Sequence, residues 1–94
     1  MIRDATFYFA NLGADVTRCV TAAKGGDESR YQESLERAYH TVDYIRTVRR
    51  PEAYEEALLL LRGLDLARTK PETLTSFQSA TDSLMGAFSA RLIA

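Results

Sequence analysis

The sequence predicts an all-α fold, an up-down antiparallel four-helix bundle with short connections. Apolar residues recur on alternating three- and four-residue spacings, and helix-stop signals divide the chain into four stretches. The connections between those stretches are only about three residues long, which makes sequential helices run antiparallel. A pair of helical hairpins completed by a second subunit is the alternative architecture. The whole chain, residues 1–94, reads as one domain.

The first apolar set is Ala5, Phe9, Leu12, Val16, Cys19 and Ala23. Side chains at i, i+3, i+4 and i+7 stack on one face, so the set predicts a helix from about Arg3 to Lys24. Asp4 stands near its positive end, and Gly25-Gly26 closes it because glycine takes the left-handed conformation. Asp27 is placed to cap the second helix, which runs to about Val48 and buries Tyr31, Leu35, Ala38, Val42 and Ile45. Arg46, Arg49 and Arg50 lie at its negative end. Pro51, followed by Glu52, Glu55 and Glu56, opens the third helix, which continues to about Arg68 with Tyr54, Leu58, Leu61 and Leu64 inward. Gly63 costs this helix about 1 kcal/mol relative to Ala, yet Leu64 and Arg68 continue its phase, so the helix is read as unbroken. Pro71-Glu72 repeats the opening signal for a fourth helix reaching Leu92, with Leu74, Phe77, Thr81, Leu84 and Phe88 inward. Leu35, Leu61, Leu84 and Phe88 are expected to be almost fully buried.

An apolar content of 46% beside 27% charged residues fits a folded globular chain and argues against disorder. A net charge of −1 removes the general electrostatic case for nucleic-acid binding. The longest uninterrupted apolar run, Ala57 to Leu61, is far below the ~20 residues of a membrane span, so no membrane partner is expected. Met-Ile-Arg-Asp leads into an amphipathic helix and does not read as a secretory signal, so a soluble cytoplasmic protein is expected. Cys19, the single cysteine, excludes an internal disulfide and lies on the first core stripe, where a thiol serves as a small hydrophobe.

Charge is unevenly spread. The stretch from Glu28 to Arg50 carries nine charged residues, whereas Pro71 to Ala94 carries only Glu72, Asp82 and Arg91. Helix one has a second stripe away from its core face at Phe7, Ala10, Ala14, Thr17 and Thr21. Helix four has a small-residue stripe at Ser76, Ala80, Ser83, Ala87 and Ala90. Helices one and four are neighbours in an up-down bundle, so Phe7, Ala10, Ala14, Thr17, Ala80, Ser83 and Ala87 are the candidate interface. A dimer of this chain, or a helical protein partner, would cover that weakly charged flank.

Chemistry is sparse. His40, the only histidine, points away from the second core stripe between Glu36 and Asp43. One histidine and one cysteine supply neither a closed zinc site nor the paired Glu-x-x-His motifs of a di-iron bundle. No second histidine serves a nucleophilic serine, no glycine-rich phosphate loop is present, and Glu55-Glu56 fits the first turn of a helix. Catalysis, metals and cofactors are therefore not expected. Arg46, Arg49 and Arg50, with Arg3 and Arg91 brought to the same end, form a candidate anion or RNA contact, tempered by Glu52, Glu55 and Glu56 beside it. Among the tyrosines, Tyr31 and Tyr54 fit core positions, Tyr39 the boundary, and Tyr44 solvent, where it stands near His40.

An exposed histidine on such a bundle resembles the histidine phosphotransfer domains, in architecture only. Their motif sets Lys three residues and Gly four residues after the histidine; here those positions hold Asp43, which would repel a phosphoryl group, and Tyr44, which would crowd it. The sequence thus points to a non-catalytic interaction module. An RNA- or phosphate-binding accessory role at Arg46, Arg49 and Arg50 is the second reading, and phosphotransfer at His40 the third.

Overall fold

The computed structural model describes residues 5–93, without the side chains of Thr6, Pro71 and residues 88–93. The expectations placed on Arg3, Asp4, Arg91 and the burial of Phe88 therefore lie outside the described residues. The helices are α1 (Ala5–Lys24), α2 (Glu28–Thr47), α3 (Pro51–Arg68) and α4 (Leu74–Ile93), with no strand among the described residues. A short 3₁₀ turn, Pro71–Thr73, precedes α4, so the proline opens a tighter turn and the α-helix itself begins three residues later than the sequence suggested.

The stop signals work through identifiable bonds. Gly26 takes φ +70°. Its N–H reaches the Ala23 carbonyl at 3.2 Å and the Asp27 N–H reaches the Ala22 carbonyl at 2.9 Å, the paired closure of a Schellman motif. Asp27 Oδ1 then accepts from the Arg30 N–H at 3.0 Å and caps α2. Between α2 and α3 the left-handed position falls on Arg49, at φ 55°, where a β-carbon crowds the backbone.

Contacts between helices run in opposite numerical order along each pair. Tyr8 stacks on Tyr44 and the Cys19 thiol faces the Tyr31 carbonyl, which sets α1 antiparallel to α2. Thr17 meets Gln78 and Gly13 meets Met85 across α1 and α4. Arg68 pairs with Glu28 across the far ends of α3 and α2. α1 packs against all three other helices, and Phe9, Leu12, Val16 and Cys19 are each 0% exposed. Much of the charge scarcity of α1 follows from that central place.

α3 is rotated from its expected phase. Its buried residues are Ala53, Ala57, Leu60, Leu61, Leu64 and Ala67, whereas Leu58 is 40% exposed. Alanines let α3 approach its neighbours closely, and the face they define turns Leu58 out and Leu60 in. Tyr54, expected in the core, is half-buried, as are Ala23, Leu35 and Leu84, all of which pack at its margin. Tyr39, expected at the boundary, is exposed. Gly63 leaves α3 unbroken because its missing side chain is filled from α4: a β-carbon there would sit 3.0 Å from the Phe77 ring.

Two stability measurements follow. Leu61→Ala, at a site 2% exposed, should lower the unfolding free energy by about 2–5 kcal/mol in urea titrations. Leu58→Ala should cost under about 1 kcal/mol, and equal losses in the two variants would contradict this phase of α3. Arg49→Gly should stabilise the fold by roughly 0.5–1 kcal/mol, since glycine accepts the left-handed turn without strain.

Candidate functional site

The seven candidate interface residues, Phe7, Ala10, Ala14, Thr17, Ala80, Ser83 and Ala87, are all exposed. Apart from Thr17, which accepts from Gln78 of α4, these residues are thus not consumed by packing the two helices together. The structure does, however, divide them between two faces. α4 meets α1 through Gln78, whose Nε2 donates to Thr17 Oγ1 at 3.1 Å, and through Met85, which lies against Gly13. Ala80 faces the opposite way, into a groove shared with Glu56, Leu59, Leu60, Phe77, Thr81 and Leu84 of α3 and α4. Ser83 and Ala87 follow Ala80 by one and two turns on the same side of α4. Phe7, Ala10, Ala14 and Thr17 form a separate strip on α1, with the Phe7 ring edge-on to Tyr8 at 5.4 Å.

Among the described residues the most exposed large apolar side chains lie on α3, a surface the sequence pattern did not single out. Leu59 is 59% exposed and Leu66 is 66% exposed, two helical turns apart, and Leu59 lines the groove that holds Ala80. A signal for them was present. Leu58, Leu59, Leu60 and Leu61 are consecutive, and at 100° per residue four successive side chains sweep most of the helix circumference. No single buried face can hold them all.

Arg46, Arg49 and Arg50 come together at the α2–α3 turn, all exposed. Arg50 is engaged: its Nε donates to Glu52 Oε1 at 2.8 Å. A second polar strip lies along the groove between α1 and α2, where Arg18, Arg37 and His40 adjoin Asn11, Ala14, Asp15 and Thr41. Asp15 is almost buried there and takes the Arg18 guanidinium at 2.9 Å. The Thr41 hydroxyl lies 3.3 Å from Asp15 Oδ2 and 3.1 Å from the Arg37 carbonyl, and donates to one at a time. His40 is exposed, and no group of three or more His, Cys, Asp or Glu suited to a metal occurs among the described residues. Tyr44, expected in solvent, is 55% exposed yet stacks on Tyr8 at 5.2 Å, where it ties the open end of the α1–α2 hairpin.

The buried end of that hairpin carries the shifted groups. Burial, reinforced by the Asp15 carboxylate and opposed by Arg68, pushes the Cys19 thiol up from 9.0 to about 11. Burial, with Cys19, Asp65 and Tyr39 adding to it, pushes the Tyr31 phenol up from 10.0 to about 12. The Tyr31 ring is covered by the Arg68 guanidinium, 3.8 Å from its centroid, and Arg68 is anchored in turn by Glu28. A thiol held protonated at neutral pH is a poor nucleophile, so this cluster joins α1, α2 and α3 mechanically.

No protein-family model matches the chain, and neither curated proteins nor solved structures give a match. No helix among the described residues is long and apolar enough to cross a membrane.

The raised values fix the sign of an alkaline transition. Both groups bind their protons more tightly in the folded state, so stability is intact below pH 9 and declines as pH rises through about 12. Thermal midpoints should stay level up to pH 9 and fall beyond it, with Cys19→Ala removing the earlier part of the fall. A midpoint that rises over this window would contradict the burial of both groups.

Proposed function

We propose that this protein is a non-catalytic interaction module that works as a homo-oligomer, with a dimer favoured, in the cytoplasm. The observation that carries the reading is the set of large apolar side chains left outside a complete core. Leu59, Leu66, Leu58 and Phe7 are each at least 40% exposed, while the core is closed by Phe9, Leu12, Ile45 and Leu64. Apolar surface in excess of what the bundle needs is a liability in a free monomer and an asset at an interface. The poverty of charge on α4 and along the outer strip of α1 supports the same reading, because charged side chains are depleted at interface centres.

Sedimentation of the wild type from about 10 to 500 µM should show a concentration-dependent dimer, the range in which modest interfaces assemble. A strictly monomeric protein throughout would overturn self-association. Ala14→Glu and Ala87→Glu report whether the α1 strip and the α4 stripe take part, since neither side chain belongs to the core and circular dichroism should be unchanged in both.

The RNA or phosphate reading rests on the exposure of Arg46 and Arg49, and the engagement of Arg50 by Glu52 counts against it. Each neutralised phosphate releases counterions, so such binding would weaken steeply with salt. Titration with mixed RNA at physiological salt should show no tight binding. Submicromolar, salt-steep binding abolished in Arg46→Glu/Arg49→Glu would replace the interaction module with a nucleic-acid-binding role.

A further inference from the structure

We infer that the outer face of α3 pairs with the same face of a second copy, antiparallel and about a two-fold axis near Gly63. The inference rests on the self-association reading and names its surface and register. Leu59 and Leu66 lie two turns apart on the side of α3 opposite Ala57, Leu61 and Leu64, and they are more exposed than the other described leucines. Charge on this helix is ordered along its length. Glu52, Glu55 and Glu56 stand in its first half, whereas Arg62 and Arg68 stand in its second half with Asp65 between them, and Lys70 follows two residues beyond its end. Arg68 is held by Glu28, which leaves Arg62 and Lys70 as the outward cations of this segment.

A segment with acid at one end and base at the other is complementary to its own reverse. Setting Leu59 opposite Leu66 of the second copy, and Leu66 opposite its Leu59, brings Glu55 opposite Lys70 at both ends of the contact. Both of these charged residues are exposed. The same register puts the axis between Arg62 and Gly63. Arg62 lies nearest the axis and leans to the same rim as Asp65, so each Arg62 meets Asp65 of the other copy as well as the second Arg62. A parallel pairing would set acid on acid and base on base, so the charge order selects the antiparallel arrangement.

The groove beside Leu59, lined by Phe77, Ala80 and Leu84, gives Leu66 of the second copy an apolar seat. A single helix-on-helix contact is smaller than the ~800 Å² per partner of a standard interface, which places this dimer in the micromolar range. From Glu55 to the end of α3 at Arg68 the helix rises about 20 Å, and Lys70 lies beyond that end, so the two do not pair within a monomer. That separation makes a charge exchange diagnostic.

The test is sedimentation equilibrium of the wild type beside Leu66→Glu, Glu55→Lys, Lys70→Glu and the double variant Glu55→Lys/Lys70→Glu, with helicity checked for each. Leu66→Glu should stay monomeric at about 500 µM while keeping the wild-type helical signal, because it would place a carboxylate in the apolar centre. Each single charge reversal should weaken the dimer about tenfold, since two-fold symmetry repeats the repulsion, and the double variant should return to within about threefold of wild type. A wild-type dimer that is indifferent to Leu66→Glu, or a double variant no better than the singles, would overturn this interface and leave self-association standing on another face. A dimer broken by Ala14→Glu alone would assign it to α1. A monomeric wild type would overturn both readings together.

Discussion

The burial of one nearly uncharged stripe on α1 is the constraint on which the rest of the structure depends. Phe9, Leu12, Val16 and Cys19 have no exposed surface, and α2, α3 and α4 all close on the helix that carries them. Apolar area removed from water at roughly 25 cal/mol per Å² is the main favourable term in a domain of this size, and among the described residues α1 and α3 carry most of the buried apolar side chains. The polar contacts around α1 then fix registry. Asp15 with Arg18 and Thr41 sets α1 on α2, Gln78 with Thr17 sets α4 on α1, and Arg68 with Glu28 and the Tyr31 ring ties α3 back to α2.

The four helices and their ends were legible because each boundary has a local chemical cause. Gly26 adopts a left-handed conformation, Asp27 supplies a carboxylate to a free N–H, and Pro51 needs no N–H of its own. The phase of α3 was not legible in the same way. Periodicity weights large side chains, and the run from Leu58 to Leu61 offers several faces of similar hydrophobicity. The face used is the one that also carries Ala53, Ala57 and Ala67, because small residues permit the closest approach to the neighbouring helices. The side on which α4 presents Ala80 had a similar origin. It depends on Phe77 lying against Gly63 and Met85 against Gly13, pairings between distant parts of the chain that no local pattern encodes.

These two displacements bear on function together. Rotation of α3 adds Leu58 to the exposed Leu59 and Leu66, and the roll of α4 sets Ala80 in a groove with Leu59. The exposed apolar surface therefore lies at the α3–α4 groove rather than at the weakly charged α1–α4 seam. Scarcity of charge on α1 is explained by its central place, whereas exposure of full-length leucine side chains on α3 has no explanation within the monomer. The arginines at the α2–α3 turn divide similarly, with Arg50 held by Glu52 and Arg49 occupying the left-handed position of the turn.

Native-state hydrogen exchange measures the central place of α1 most directly, since each backbone amide reports the opening that exposes it. Amides from Phe9 to Val20 are expected to exchange only through global unfolding, with protection equal to the full unfolding free energy. Amides of α4 and the outer turns of α3 are expected to exchange sooner, through partial openings that leave α1 and α2 paired. Exchange of the α1 amides ahead of those in α2 and α3 would contradict the account, because the helix on which the others close cannot open first.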